Sequence, residues 1–203
     1  MFRNRNMILV SLVMMIGGAG RDVGVNLAYL GPHMANDLGL NLTMVGVAIT
    51  VMQVGGVVGP IGFSYLSDRM SRTRVIQASL ALSSIATLWL AFQGQFLPGL
   101  LVSLAFYGTV TRSRMVLTQA LVADSLDDKD MDAAFSVFFL LGVASAPFWA
   151  ILVGVLMDKY GFELAFTVLS ASYVLGMLLM LIVVDPRQKA AAADAPADQV
   201  SSS

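Results

Sequence analysis

Four charged residues stand inside otherwise apolar stretches: Arg21 and Asp22 in one, Arg112 and Arg114 in another. A guanidinium is a permanent cation that holds carboxylate or phosphate in a planar fork of donors, and a neighbouring carboxylate can pair with it or carry a proton. At ~1.5 Å per residue, Arg112 lies roughly 18 Å along a helix from Asp124, and Arg21 lies about as deep from Met7. In a bilayer each such charge costs ~2.5–3.5 kcal/mol, so the four cost on the order of 10–14 kcal/mol. That rivals the ~5–15 kcal/mol that stabilises a typical domain. They must face a wet cavity or each other.

Arg21 and Asp22 are separated by about 100° around a helix, so both can edge one cavity wall. Arg112 and Arg114 are about 200° apart and cannot share a face. Arg112 is the cavity candidate; Arg114, closer to the polar boundary, reaches a partner or the headgroups. Three positives against one negative favour an anionic solute, a carboxylate or a phosphate. Asp22 is the acidic residue at that depth and a candidate for proton coupling. The competing use is a structural pair, Arg21–Asp22 or Asp22–Arg112, that fastens two helices. Asn26, Tyr29, Gln53, Tyr107 and Gln119 suit a pathway or interhelical hydrogen bonds equally well.

The elements that must position these groups are apolar spans. Of 203 residues 57% are hydrophobic and 12% charged, with a mean hydropathy of +0.78. A soluble domain carries about a quarter charged residues, so a soluble enzyme is excluded. Six segments alternate with short polar gaps: Met7–Leu30, Leu42–Leu66, Val75–Phe92, Leu97–Ala123, Ala133–Met157 and Leu164–Val184. The second and fifth are free of charge throughout, and each is long enough to cross a bilayer. Residues 1–6 form a short basic start, and 185–203 read as a disordered polar tail. With six spans, Arg3, Arg5, Arg69, Arg72, Arg74, Lys129, Arg187 and Lys189 share one side and Lys159 the other. Basic connections stay in the cytoplasm, which places both termini there and the chain in a cell membrane.

The second span ends Ser64-Tyr65-Leu66-Ser67-Asp68-Arg69-Met70-Ser71, and the fifth ends Gly154-Val155-Leu156-Met157-Asp158-Lys159-Tyr160-Gly161. Upstream, Gly55-Gly56-Val57-Val58-Gly59-Pro60 is echoed by Gly142-Val143-Ala144-Ser145-Ala146-Pro147. Three spans separate the copies, which puts them on opposite faces, as in an inverted three-plus-three repeat.

The Ser64–Arg74 stretch resembles the Gly-x-Leu-x-Asp-Arg-x-Gly-Arg-Arg loop of major facilitator superfamily (MFS) transporters, with serine at two glycine positions. Gly154–Gly161 looks like its degenerate copy. Gly142-x-x-x-Ala146-Pro147-x-x-Ala150 resembles the superfamily's antiporter motif, with alanine for two glycines. The resemblance covers six spans, one half of a twelve-span fold, and is closer to a carboxy-terminal half. It implies that the first and fourth spans line the pathway, and that Asp68, Arg69, Arg72 and Arg74 belong to an inner gating loop. Independently of the family, Asp68 just before the third span is placed to cap its first backbone N–H groups, with the arginines at headgroup level.

Other features are blander. Gly18-x-Gly20-x-x-x-Gly24 lacks the dinucleotide-binding spacing and reads as a close-packing face. His33 follows Pro32 in an outer turn and reads as solvated. The aspartates of Asp124–Asp132 read as a solvated loop near Arg69–Arg74. Without cysteine and with one histidine, there is no case for a thiolate or multi-histidine metal centre. A net charge of −1 gives none for nucleic acid.

The sequence therefore predicts an all-α integral membrane protein of six transmembrane helices arranged as two inverted three-helix repeats. Its expected role is a secondary transporter of MFS type for a small organic anion, with proton coupling as an option. No cofactor and no catalytic residues are expected. Such a half needs a second half or a homodimer. A non-transporting six-helix membrane subunit, acting as an assembly partner, is the alternative, and a membrane enzyme is third because no nucleophile or acid/base pair is visible.

Overall fold

The computed structural model describes residues 5–17, 27–126 and 131–186. Four helices are α1 (Arg5–Ile16), α2 (Leu42–Arg69), α3 (Arg72–Ala91) and α4 (Leu97–Asp124). A helical run then covers Met131–Met180, broken at Gly161 by φ 83° and ψ 175°. That break divides it into α5 (131–160) and α6 (162–180). An unbroken helix would hold Ala134 and Met180 roughly 70 Å apart, yet both belong to one buried cluster. The two arms therefore form a hairpin.

The polar gap expected at 158–162 shrinks to a single residue. The Gly161 conformation lies in a region that is essentially glycine's alone and costs other residues on the order of 1–3 kcal/mol. Nothing within 4 Å would obstruct an added Cβ. Gly161→Ala is thus expected to lower stability by about 1–3 kcal/mol through backbone strain alone. The check is the unfolding temperature of detergent-purified protein, and an unchanged value contradicts this account of the turn.

The Gly31-Pro32-His33 turn also differs from expectation. Residues 27–32 are helical, and the helix closes in a π-helical turn, His33–Asp37. Proline lacks the N–H that an α-helical ladder needs, and here the register widens so that Leu38 N–H reaches His33 O at 3.1 Å. Gly39, at φ 66°, reverses the chain. Asn41 then caps α2, its side-chain oxygen accepting from Met44 N–H at 2.9 Å.

Two apolar clusters occupy opposite ends. One gathers Met7 and Val10 of α1, Ile76 of α3, Leu121 of α4, Phe138 of α5 and Tyr173 of α6. The other gathers Met34, Val45 of α2, Leu90 of α3, Leu100 of α4, Val153 of α5 and Phe166 of α6. Starts and ends of successive helices thus alternate between the two ends, the first of which carries Arg5, Asp68 and Arg72. Phe63 is packed against both clusters. Between them lies a belt of small and hydroxyl residues, with Gly59, Ser79, Ser83, Thr111, Ser113, Gly142 and Ser145 all buried.

Helix α2 packs along α4, α3 lies between α4 and the α5–α6 hairpin, and α1 packs on that hairpin. Among the described residues, three helical stretches are long and apolar enough to cross a membrane: Leu42–Arg69, Arg72–Ala91 and Met131–Met180, which contains the break at Gly161. Helix α4 equals α2 in length, at 28 residues each, and carries Arg112 and Arg114.

Candidate functional site

The basic loop joins α2 to α3 through Met70 and Ser71. Arg72 opens α3 and is only 6% exposed. Its Nη1 lies 3.1 Å from Asp124 Oδ2 at the end of α4, and its Nη2 lies 3.6 Å from Asp68 Oδ1. Arg69 places its guanidinium 4.3 Å from the centre of the Tyr65 ring, and Arg74 is exposed. Arg72 thus lies between two carboxylates, the partly buried Asp124 and the exposed Asp68. Asp124, read as part of a solvated loop, is one of those carboxylates.

A carboxylate other than Asp68 meets the start of α3. Ser71 stands at the N-cap of α3 and makes no side-chain cap hydrogen bond to it. Instead Asp185, just after α6 and 4% exposed, accepts from Ser71 Oγ at 2.7 Å. The same carboxylate oxygen lies 3.5 Å from Thr73 N and Thr73 Oγ1. Sequence reasoning placed Asp185 in the tail, since Asp-Pro reads as the end of structured chain. The neighbouring backbone is tied as well: Asn6 Nδ2 donates to Val184 O at 2.8 Å, Val184 N–H returns to Asn6 Oδ1 at 3.3 Å, and Gln77 donates to Met180 O at 3.1 Å.

Midway along α4 the two arginines diverge, as their angular separation requires. Arg112 is half-buried, donates through Nη2 to Gln53 Oε1 of α2, and lies against Gly56, where a Cβ would come 2.7 Å from Arg112 Cδ. Arg114 is 1% exposed, with its guanidinium 4.7 Å from the centre of the Tyr173 ring on α6. Of the two routes open to Arg114 from sequence, the structure therefore shows a partner inside the bundle. Arg21, Asp22 and Asn26 lie outside the described residues.

Tyr29 donates to Ala150 O at 2.8 Å and so bridges to α5, with its hydroxyl beside Gly154. Tyr107, at 2% exposed, belongs to the same buried cluster as Met34 and Val153. Trp149 was not singled out from sequence, yet its Nε1 donates to Met15 O at 2.8 Å and joins α5 to α1. His33 is not solvated as expected. Its ring stacks on Phe162 with centroids 3.6 Å apart, and Nδ1 lies 2.6 Å from Asp37 Oδ2. A pocket of about 310 Å³ opens between α1 and α5, lined by Met7, Ile8, Ser11, Leu12, Met15, Val137 and Leu141. None of the residues singled out from sequence lines it.

A bundle of apolar helices alternating in direction, with its basic loop at one end and a charged residue at mid-depth, is the architecture of a helical membrane protein. The sequence pattern of the Major Facilitator Superfamily matches residues 7–202, and the chain belongs to that superfamily. It is 23% identical over 152 residues to an uncharacterized MFS-type transporter, YdgK, of Bacillus subtilis (strain 168), covering 75% of this chain and 37% of that protein. A mutant form of the peptide transporter POT solved in complex with sulfate superposes with a TM-score of 0.74 at 22% identity, over 94% of this chain and 43% of that one. The same transporter in complex with alafosfalin gives 0.70 at 22% identity, over 92% and 42%. The chain thus spans less than half the length of the relatives it matches.

Proposed function

We propose that this chain is a six-helix unit of an alternating-access carrier for a small organic anion, working with a second such unit about a midplane site. The observation that carries this reading is Arg112. Halfway along α4 and half-buried, its guanidinium meets the neutral amide of Gln53 among the described residues, which leaves its charge available to an anion. The Asp68–Arg74 loop is the inner gate, with both termini in the cytoplasm. Arg21 and Asp22 supply a further cation and a proton-coupling carboxylate.

A hydrogen bond to a charged group contributes ~1.5–3 kcal/mol, so Arg112→Ala should reduce anion uptake by about 10- to 100-fold. Arg112→Lys keeps the charge without the fork and should retain part of the flux. The test is uptake of a panel of carboxylates and phosphates into proteoliposomes, with membrane insertion checked for each variant. Uptake restricted to neutral or cationic compounds overturns the anion reading. Unaltered assembly in the arginine variants, combined with no flux in the parent under any gradient, favours the non-transporting subunit instead. The detergent-corrected mass of the purified protein shows whether two copies pair.

A further inference from the structure

We propose that Asp185 is a positioning residue for the gating loop, holding the first turn of α3 against the exit of α6. The inference rests on the reading of Asp68–Arg74 as a gate, but its geometry stands apart from that reading. The loop's second half is gripped from two directions. Asp124 of α4 holds Arg72 at 3.1 Å, and Asp185 takes the Ser71 hydroxyl at 2.7 Å while facing the N–H and hydroxyl of Thr73. A carboxylate there meets both the exposed donors and the positive end of α3. Its own backbone is anchored, because the neighbouring Val184 exchanges two hydrogen bonds with Asn6 at the start of α1.

Three elements therefore converge on one short segment: the start of α1, the start of α3 and the end of α6. In the loop's first half Asp68 and Arg69 are exposed, with Asp68 tied to Arg72 at 3.6 Å and Arg69 over the Tyr65 ring. The gate is consequently divided. Ser71 to Thr73 move with α1, α3 and α6, and rearrangement falls on Asp68 and Arg69 at the end of α2. Asp185 acts through these hydrogen bonds and touches no transported solute.

The chain contains no cysteine, so an introduced one reports a single position. Ser67, in the last turn of α2, is 1% exposed, and Ser83, in the middle of α3, is fully buried. The experiment measures maleimide labelling rates of Ser67→Cys and of Ser83→Cys in membrane vesicles, each with and without a change at Asp185. Asp185→Ala should accelerate labelling at position 67 at least tenfold and leave position 83 protected. Asp185→Asn, which keeps an acceptor oxygen, should stay within about threefold of the parent. Ser71→Ala, which removes the 2.7 Å donor, should accelerate position 67 in the same direction by a smaller factor. An unchanged rate at position 67 in Asp185→Ala overturns the proposal. If Asp185→Ala exposes both positions, Ser71→Ala decides: acceleration confined to position 67 supports the proposal, and no acceleration overturns it. Labelling needs no transported solute, so failure of the carrier reading and failure of this one are read separately.

Discussion

Arg72→Ala should destabilise the end of the bundle that carries the α2–α3 loop by about 3–5 kcal/mol, the range found when one member of a buried ion pair is removed. Arg72 is 6% exposed and its partner Asp124 is partly buried on α4. Taking away the cation leaves a carboxylate with little water and its main counter-charge gone. For a chain of this size, 3 kcal/mol corresponds to roughly 6–12 °C in unfolding temperature. Asp124→Asn should cost less, because an amide can still accept from the guanidinium. A variant with Arg72→Met and Asp124→Leu should recover much of the loss, since apolar replacements of a buried pair are often neutral or better. If Arg72→Ala unfolds at the parental temperature, the pair contributes nothing to stability.

The second large effect lies on the seam between α2 and α4. At Gly59 a Cβ would run into the carbonyl oxygen of Thr109 and come 2.7 Å from Ser113 Oγ. The carbonyl is backbone, so relief requires moving a helix, and overpacking of this kind costs about 1–3 kcal/mol, occasionally more. Gly59→Ala is expected near the upper end of that range. Gly62, one turn along the same helix, has nothing within 4 Å. There the better helix propensity of alanine should be neutral or stabilising by up to ~1 kcal/mol. Measuring both unfolding temperatures side by side separates close approach from propensity. Equal effects at 59 and 62 contradict the seam.

The glycine motifs carried more information than their spelling. Gly55-Gly56-x-x-Gly59 on α2 packs against Ala105, Thr109 and Arg112 of α4, and its echo at Gly142 on α5 packs against Met14 of α1. If α2 corresponds to α5 and α4 to α1, the two seams are the same contact made twice. Asp68 and Asp158, the two copies of the loop aspartate, fall at opposite ends of the bundle. The close packing at these glycines was legible because small residues at helical spacing are a packing instruction, and periodicity survives in one sequence.

What could not be read depended on contacts between distant parts of the chain. Hydropathy marks where apolar side chains are, not where the hydrogen-bond ladder stops, so α3 begins at Arg72 although the apolar stretch begins at Val75. Asp68 lies four residues before the start of α3 and invited the capping role, whereas a carboxylate that meets the start of that helix stands 114 residues from Ser71. The same limit applies to Arg114, whose partner Tyr173 sits on another helix. Angular separation showed that it faces away from Arg112; only the fold shows toward what.

The belt of glycine, serine and threonine between the two apolar clusters has a mechanical consequence. Interdigitated large side chains resist sliding, because close-packed cores shift between discrete arrangements instead of deforming smoothly. A layer of short side chains has little to disengage when neighbouring helices tilt. At the belt, neighbouring helices therefore have fewer interlocked side chains to disengage than in the clusters on either side of it.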